Sequence, residues 1–331
     1  MPEKPDADEF RKHLKDLQTG TTGAKRIWPH FLFHFTDVTN VAEILKRNEL
    51  LSRYQLENNS QKFVDAASSE IISGTANKWK DHVRFYFRPR TPTLFRNEGI
   101  RPKPSIQLRD AHCPLPVYLL FDIEPILCDA SSAFSTGNLA SPRTFVYTAA
   151  SDFKKLPFDL IYHDGAFSPT ERDTIILHRQ AEVIIPQRIG LENLRYIWCR
   201  SEAERETLRS LLPNPIWHEW QNSIYFNAEH NLFFRYWAYV TKVTLSRTKI
   251  VFNFNLPSNV SDIEPFDIVA QVTDLNSEKM YSFQRETGTV HNTVYLNIED
   301  MTDTSHYSVK LFIDNHLAYA NTYRSMDDIP F

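Results

Sequence analysis

The stretch FLFHFTDVTNVAEILKRNELL, residues 31–51, reads as a strand, a turn and a helix. FLFHF is a short aromatic and aliphatic run suited to a buried strand, whereas Val41, Ile44, Leu45 and Leu50 recur at helical spacing. Downstream, VRFYF (83–87), VYLLFDI (117–123), FDLIYHD (158–164) and AEVIIP (181–186) are rich in β-branched or aromatic residues and predict further strands of one mixed sheet. The polar stretch 54–82 predicts loop with a short helix. RYIWCR and then SEAERETLRSLL close this half; the latter reads as a helix with Ser201 and Glu204 as a capping box and Pro213 as its stop. Upstream, residues 1–27 are polar and predict either an arm or a short amphipathic helix carrying Phe10, Leu14 and Leu17.

Beyond a linker expected over 213–234 the pattern changes to alternation: YVTKVTLSRTKIVFNFNL, FDIVAQVTDL, KMYSFQRE, TVYLNIED and HYSVKLFIDNHLAYANTY. Short strands at this spacing predict an all-β, immunoglobulin-like sandwich over 235–331. The fold class is therefore α+β, a mixed-sheet domain over 28–212 followed by the sandwich. A chain of 331 residues can bury two such cores. The last residues, MDDIPF, read as a docking peptide or as a frayed end.

A net charge of −4 opposes polyanion binding by the whole surface and leaves room for a local basic groove. Three cysteines, Cys113, Cys128 and Cys199, are widely spaced without a CxxC pair, so neither a disulfide framework nor a metal site is expected, and a reducing cytoplasm is the expected home. The charged N-terminus lacks a signal-peptide core, and no apolar run is long enough for a membrane span.

Four segments carry chemistry. In HFTDVTN, His34 and Thr36 share one strand face and can converge on a ribose or an amide; a core histidine followed by an Asn40/Glu43 cap is the structural alternative. VRFYFRPRTPTLFR interleaves Arg84, Arg88, Arg90 and Arg96 with Phe85, Tyr86, Phe87 and Phe95, as suits phosphates and unstacked bases, or a basic strand face over an aromatic core. FSTGNLASPRTF places Thr136, Gly137 and Asn138 in a turn that either admits a ligand or is only a turn. In HRQAEVIIP, Glu182 enters an apolar strand, which is costly unless the carboxylate is functional or paired with Arg179 or Arg90.

Taken in order, FHFTDVTN, FYFRPRTPTL, STGNLAS and RQAEVII resemble the YHxTxxxN-, YFxPRxPM-, DGNAA- and QAEFLV-type segments of the DarT family, toxins that ADP-ribosylate bases of nucleic acid. The resemblance covers about residues 28–200 and departs at Phe33, Thr93, Thr136 and Leu139. It implies an ADP-ribosyltransferase fold, PARP-like with a split mixed sheet, and NAD as co-substrate without a metal. His34, Thr36 and Asn40, with Tyr86 and Asn138, would bind NAD, and Arg90 would position the substrate or steady the pyrophosphate. Glu182 would hold the nicotinamide ribose and stabilise the ribosyl cation, and it or His163 would take the acceptor's proton. Arg84, Arg88 and Arg96, with Tyr147, Tyr162 and Arg179 of the loop over 146–180, would meet the nucleic acid.

The expected function is thus a toxin-type mono-ADP-ribosyltransferase acting on a base of single-stranded DNA, in a toxin–antitoxin or anti-phage setting. RNA is the second acceptor, a protein side chain the third, and a catalytically silent nucleic-acid-binding module stands as the alternative from another class. Expected partners are an antitoxin protein and, through the sandwich, a chaperone or a phage-protein trigger.

Overall fold

The computed structural model describes residues 2–61, 63–65, 77–101, 112–226, 230–255, 266–287 and 292–325. The tail 326–331, read above as a docking peptide, lies outside them, as does much of the polar 54–82 stretch.

The chain begins with the helix Ala7–Gly20, which buries Phe10 and Leu14 against the first core, so the N-terminal segment packs as a helix. β1 (Phe31–Asp37) leads into the helix Val38–Arg47, which ends at Asn48 in a left-handed conformation (φ 57°). That turn removes Leu50 from the predicted helix and places it in β2 (Glu49–Leu51), paired with β8 (Arg188–Gly190). The other strands of this half are β3 (His82–Tyr86), β4 (Pro116–Asp122), β5 (Ala133–Ser135), β6 (Val146–Tyr147), β7 (Glu182–Pro186), β9 (Leu194–Cys199) and β10 (Ile224–Phe226).

Eight strands form one sheet in the order β10-β9-β4-β1-β3-β7-β5-β6. Only β9 and β10 run parallel, so the sheet is mixed. β1 pairs with β4 along its whole length but meets β3 at a single register pair, Phe33 with Tyr86. The sheet is split there, and the gap is where a ligand can reach strand interiors. Phe33, Phe85 and Phe121 fill the core behind the split, the last two edge to face at 5.1 Å.

Two expectations differ. FDLIYHD contains the helix Phe158–Ile161 instead of a strand. Phe158, Ile161 and Tyr162 sit at helical spacing while Phe158, Leu160 and Tyr162 alternate, and in so short a run periodicity does not decide. The described residues of 213–234 do not form an open linker: they include the helix Asn214–Trp220 and β10, and bury Leu232 and Phe233 in the first core.

The second half is a sandwich of β11 (Tyr239–Leu245), β12 (Lys249–Asn255) and β15 (Thr293–Asn297) against β13 (Phe266–Asp274), β14 (Met280–Thr287), β16 (His306–Ile313) and β17 (His316–Arg324). The orders are β11-β12-β15 and β14-β13-β16-β17, a three-on-four arrangement of the immunoglobulin-like kind. Alternate residues of β13 are buried along its whole length, as the sequence pattern requires.

The helix Glu202–Leu211 docks the two halves. Ser201 caps it, accepting from the Glu204 amide at 3.2 Å, while the Glu204 carboxylate reaches back to the amide of Arg200 at 3.0 Å. On the sandwich side Thr207 Oγ1 accepts from the Ala320 amide at 3.1 Å, and the Tyr319 hydroxyl donates to Glu206 at 2.6 Å. Among the described residues no helix is long and apolar enough to cross a membrane.

Candidate active site

The split between β1 and β3 opens into a cleft of about 240 Å³ whose walls include His34, Thr36, Asn40, Arg84, Tyr86 and Thr93. His34 is on β1, and its Nδ1 lies 2.9 Å from the Arg84 carbonyl. A carbonyl only accepts, so Nδ1 carries the proton and Nε2 is left as an acceptor. Burial lowers the His34 pKa, which keeps the ring neutral. The histidine thus satisfies a carbonyl that the parted strands leave without a ladder partner.

Thr36, one strand repeat on, accepts from Asn40 Nδ2 at 2.8 Å. Asn40 is not the cap of its helix. Asp37 holds that position, accepting from the Thr39 amide at 3.0 Å, while the Asn40 amide group makes two bonds to the Val64 backbone, donating at 2.8 Å and accepting at 2.9 Å. Asn40 therefore ties the 63–65 segment over the cleft mouth. Asp65 in that segment pairs with Arg53, and both line the cleft.

Glu182 opens β7 opposite Tyr86, so that Arg84, Tyr86 and Glu182 share one sheet face. The side chain is 2% exposed, and its Oε2 is buried without a hydrogen-bond partner, 3.9 Å from Arg84 Nε. Burial raises the Glu182 pKa, and Arg84 and the neighbouring Tyr86 hydroxyl oppose the rise. Burial, together with the nearby carboxylate, pushes the Tyr86 phenol far above its ordinary value, so it stays a hydrogen-bond donor. The Glu182 amide donates to Ser135 Oγ at 3.0 Å, and that hydroxyl donates to the Gly137 carbonyl at 2.7 Å. Gly137 lies so close to the helix Arg172–His178 that an added Cβ would stand 2.8 Å from the Leu177 carbonyl oxygen.

Asn138 joins the site through Gln180, whose Oε1 accepts from Asn138 Nδ2 at 3.2 Å and from Thr93 Oγ1 at 3.3 Å. The Tyr86 hydroxyl reaches Thr93 at 3.5 Å. Gln180, Ser135 and Thr93 thus hold the frame in which Glu182 is presented, three residues to which the sequence pattern assigns no role. The signal for Gln180 lay inside RQAEVII, two positions before the carboxylate.

A second cluster gathers around Asp164. Arg88 Nη2 stands 3.1 Å and Arg90 Nη1 3.7 Å from its carboxylate, and Arg179 donates to the Gly165 carbonyl at 3.0 Å. Three guanidinium groups here face one carboxylate. Arg90 is in the left-handed region (φ 53°), held by its amide donating to Tyr118 Oη at 3.0 Å.

Several expected substrate and catalytic residues stand elsewhere. Arg88 is 1% exposed and spends its donors on Asp164 and the carbonyls of Pro89, Ile161 and His163, so it anchors the loop and does not reach the nucleic acid. Tyr162 is buried, edge-on to Trp28 at 5.7 Å, with no face free to stack on a base. His163 accepts from Arg179 at Nδ1, 2.6 Å, and burial with Arg179 and Arg88 lowers its pKa. With that nitrogen occupied and basicity reduced, His163 is a poor proton acceptor. Arg84 lines the cleft beside Glu182. Tyr147 and the exposed Phe145 stack with rings 6.3 Å apart, and Arg96 is exposed on the helix Pro92–Asn97. Among the described residues no three His, Cys, Asp or Glu side chains come together as a metal would need.

The family model of DarT, described as ssDNA thymidine ADP-ribosyltransferase, matches residues 33–234. Among solved structures the chain is similar to Thermus sp. 2.9 DarT in complex with ADP-ribosylated ssDNA, at 16% identity and a TM-score of 0.49 over 62% of this chain and 97% of that one. It is similar also to Thermosipho africanus DarTG in complex with ADP-ribose, at 17% identity and a TM-score of 0.46 over 66% of this chain and 54% of that one. No curated protein matches the sequence. With four ordered segments around one split sheet and a family match over well more than half its length, the chain belongs to the DarT family of single-stranded-DNA ADP-ribosyltransferases.

Proposed function

We propose that the cleft between β1 and β3 holds NAD and that Glu182 is the catalytic carboxylate for transfer of ADP-ribose to thymidine in single-stranded DNA. The observation that carries this reading is the Glu182 Oε2, buried in a strand, without a hydrogen-bond partner, beside that cleft. His34, Thr36, Asn40 and Tyr86 supply the polar groups for nicotinamide and ribose, and Asn138 supports the cleft-lining Thr93 through Gln180.

As the bond from nicotinamide nitrogen to ribose C1 breaks, its electron pair leaves with nicotinamide and positive charge develops on the sugar. A preorganised carboxylate acts most strongly where that charge appears. A ring nitrogen of the acceptor base then bonds to C1 and gives its proton to Glu182, whose raised pKa suits a general base. Arg90 and Arg179, sharing Asp164 with Arg88, bring surplus positive charge for the pyrophosphate or the strand's phosphates.

The test is incorporation of label from NAD carrying a labelled adenosine into single-stranded DNA with and without thymidine, into matching RNA, and into protein. Label is expected on thymidine-containing DNA. Label on RNA alone or protein alone overturns the acceptor, and label on none overturns the whole reading. For the sandwich we propose docking of a neutralising antitoxin protein, supported by the exposed Met280 and Tyr295 on two of its strands. Tyr295→Asp should leave labelling intact and weaken that neutralisation; unchanged neutralisation counts against this surface.

A further inference from the structure

Outside the cleft, the helix Pro92–Asn97 meets the chain that enters the sandwich, and aromatic rings gather there at the surface. Phe95 is 51% and Tyr236 40% exposed, although burial of such rings is worth a great deal. Phe95 lies edge-on to Phe234 at 5.1 Å and tilted to Tyr236 at 6.2 Å, and Tyr236 leans on Trp237 at 5.0 Å. The rings form one continuous patch.

Its rim is cationic. The Arg90 guanidinium lies 4.8 Å from the centre of the Phe234 ring, and Arg101 covers Trp237 at 5.5 Å while donating to the Phe95 carbonyl at 3.3 Å. Arg96 is exposed beside Phe95. Of the nearby carboxylates, Asp164 is shared by Arg90 and Arg88, and Glu98, 1% exposed, accepts from the amides of Phe234 and Arg235, both at 2.7 Å, so it adds little negative charge to the surface. Aromatic faces bordered by guanidinium groups are the composition that holds single strands without reading their sequence, by stacking and phosphate attraction together.

The patch adjoins the reacting centre. Thr93, on the same short helix as Phe95, lines the cleft and bonds the Tyr86 hydroxyl next to Glu182. Two helical steps lead from it to Phe95, a rise of about 3 Å. Arg90, assigned above to the pyrophosphate or the strand's phosphates, also lies over Phe234, so a strand held by Arg90 passes this patch with a neighbouring nucleotide. The family match ends at 234, so Tyr236 belongs to the connection into the sandwich.

We propose that Phe95, Phe234 and Tyr236, rimmed by Arg90, Arg96 and Arg101, form a stacking platform for an unmodified base flanking the one that receives ADP-ribose. This deepens the function proposed above and rests on it. The sandwich, through its connecting chain, then contributes to holding DNA as well as to docking partners.

The experiment uses two single-stranded DNA twelve-mers with one thymidine each, identical except that one carries abasic sites on both sides of the thymidine. The abasic strand keeps its phosphates and loses only the bases that would stack. Wild-type protein should label it with a KM roughly tenfold higher, at similar kcat. Tyr236→Ala should raise the KM for the intact strand by a similar factor, remove the difference between the strands, and leave the KM for NAD unchanged. Tyr236→Trp should restore the wild-type preference. Equal KM for the two strands with wild-type protein overturns the platform without needing any variant, as does a Tyr236→Ala protein that keeps the wild-type preference. Absence of label on either strand with wild-type protein would instead bring down the reading of function on which the platform rests.

Discussion

The eight-stranded sheet and the sandwich bury polar groups in different places. Along β13 the inward positions Phe266, Ile268, Ala270 and Val272 are apolar, and the buried carboxylates of the sandwich, Asp274 and Asp314, sit at strand ends. There they accept from the turn amide of Asn276 and from the amide of Asp267, each at 2.9 Å. In the eight-stranded sheet His34 lies inside β1 and Glu182 opens β7, and one carboxylate oxygen of Glu182 has no partner. A carboxylate that closes a turn stabilises the fold it belongs to. One buried with a single arginine 3.9 Å away and an oxygen that accepts no hydrogen bond costs stability, a cost that the catalytic role proposed for Glu182 would explain.

The sharpest way to break that comparison is Glu182→Gln. If the carboxylate faces a developing ribosyl cation, the amide should lower kcat for DNA labelling by about 10³-fold, measured with saturating NAD. The same substitution should raise the melting temperature at neutral pH. Burial raises the Glu182 pKa, so ionisation disfavours the native state: the penalty is absent below the ordinary glutamate value of 4.5 and grows as pH rises through the range up to the native pKa, after which it is constant. The melting-temperature gap between variant and wild type should therefore widen from pH 4 to neutrality. A variant less stable than wild type at pH 7 would mean that Glu182 is paired and structural.

Legibility differed between the two regions for the same physical reason. The sandwich was readable strand by strand because each strand has one buried face, and alternation records that directly. In the first region β1, β3, β4 and β7 were readable as apolar runs, but Phe158–Ile161 was not, since a run of four or five apolar residues fits either period. Within the site, Glu182, His34 and Thr36 stood out by their surroundings. The roles of Arg88 and Tyr162 did not, because only tertiary packing decides whether an arginine ends in solvent or on three backbone carbonyls, or whether a tyrosine ring stays open. Asn40 was legible as a polar residue near a helix start; its bond to Val64, 24 residues on, was not.

Asn40 also gives a smaller and more selective effect. It touches Thr36 and the 63–65 segment and lines the cleft, and none of its hydrogen bonds reaches Glu182. Asn40→Ala should raise the KM for NAD by about tenfold, as loss of one or two hydrogen bonds at about 1 kcal/mol each implies, with kcat changed little. An equal fall in kcat would place Asn40 among the groups that act only in the transition state.

The smallest expected effect falls on the other region. Ile313, wholly buried at the end of β16 and paired with Ile268 on one side and His316 on the other, contributes only apolar packing, so Ile313→Val should cost about 1 kcal/mol through the lost methylene and the gap it leaves. Thermal unfolding would read this as a drop of a few degrees, while kcat and the KM for NAD, measured well below the transition, should stay at wild-type values. The seam formed by Thr207, Tyr319 and Glu206 joins the sandwich to the helix Glu202–Leu211 through hydrogen bonds that do not involve Ile313, so a one-methyl change is expected to be absorbed within the sandwich core. If kcat falls with Ile313→Val, the two regions are coupled more tightly than their separate cores imply, and the division between a chemical sheet and a structural sandwich fails.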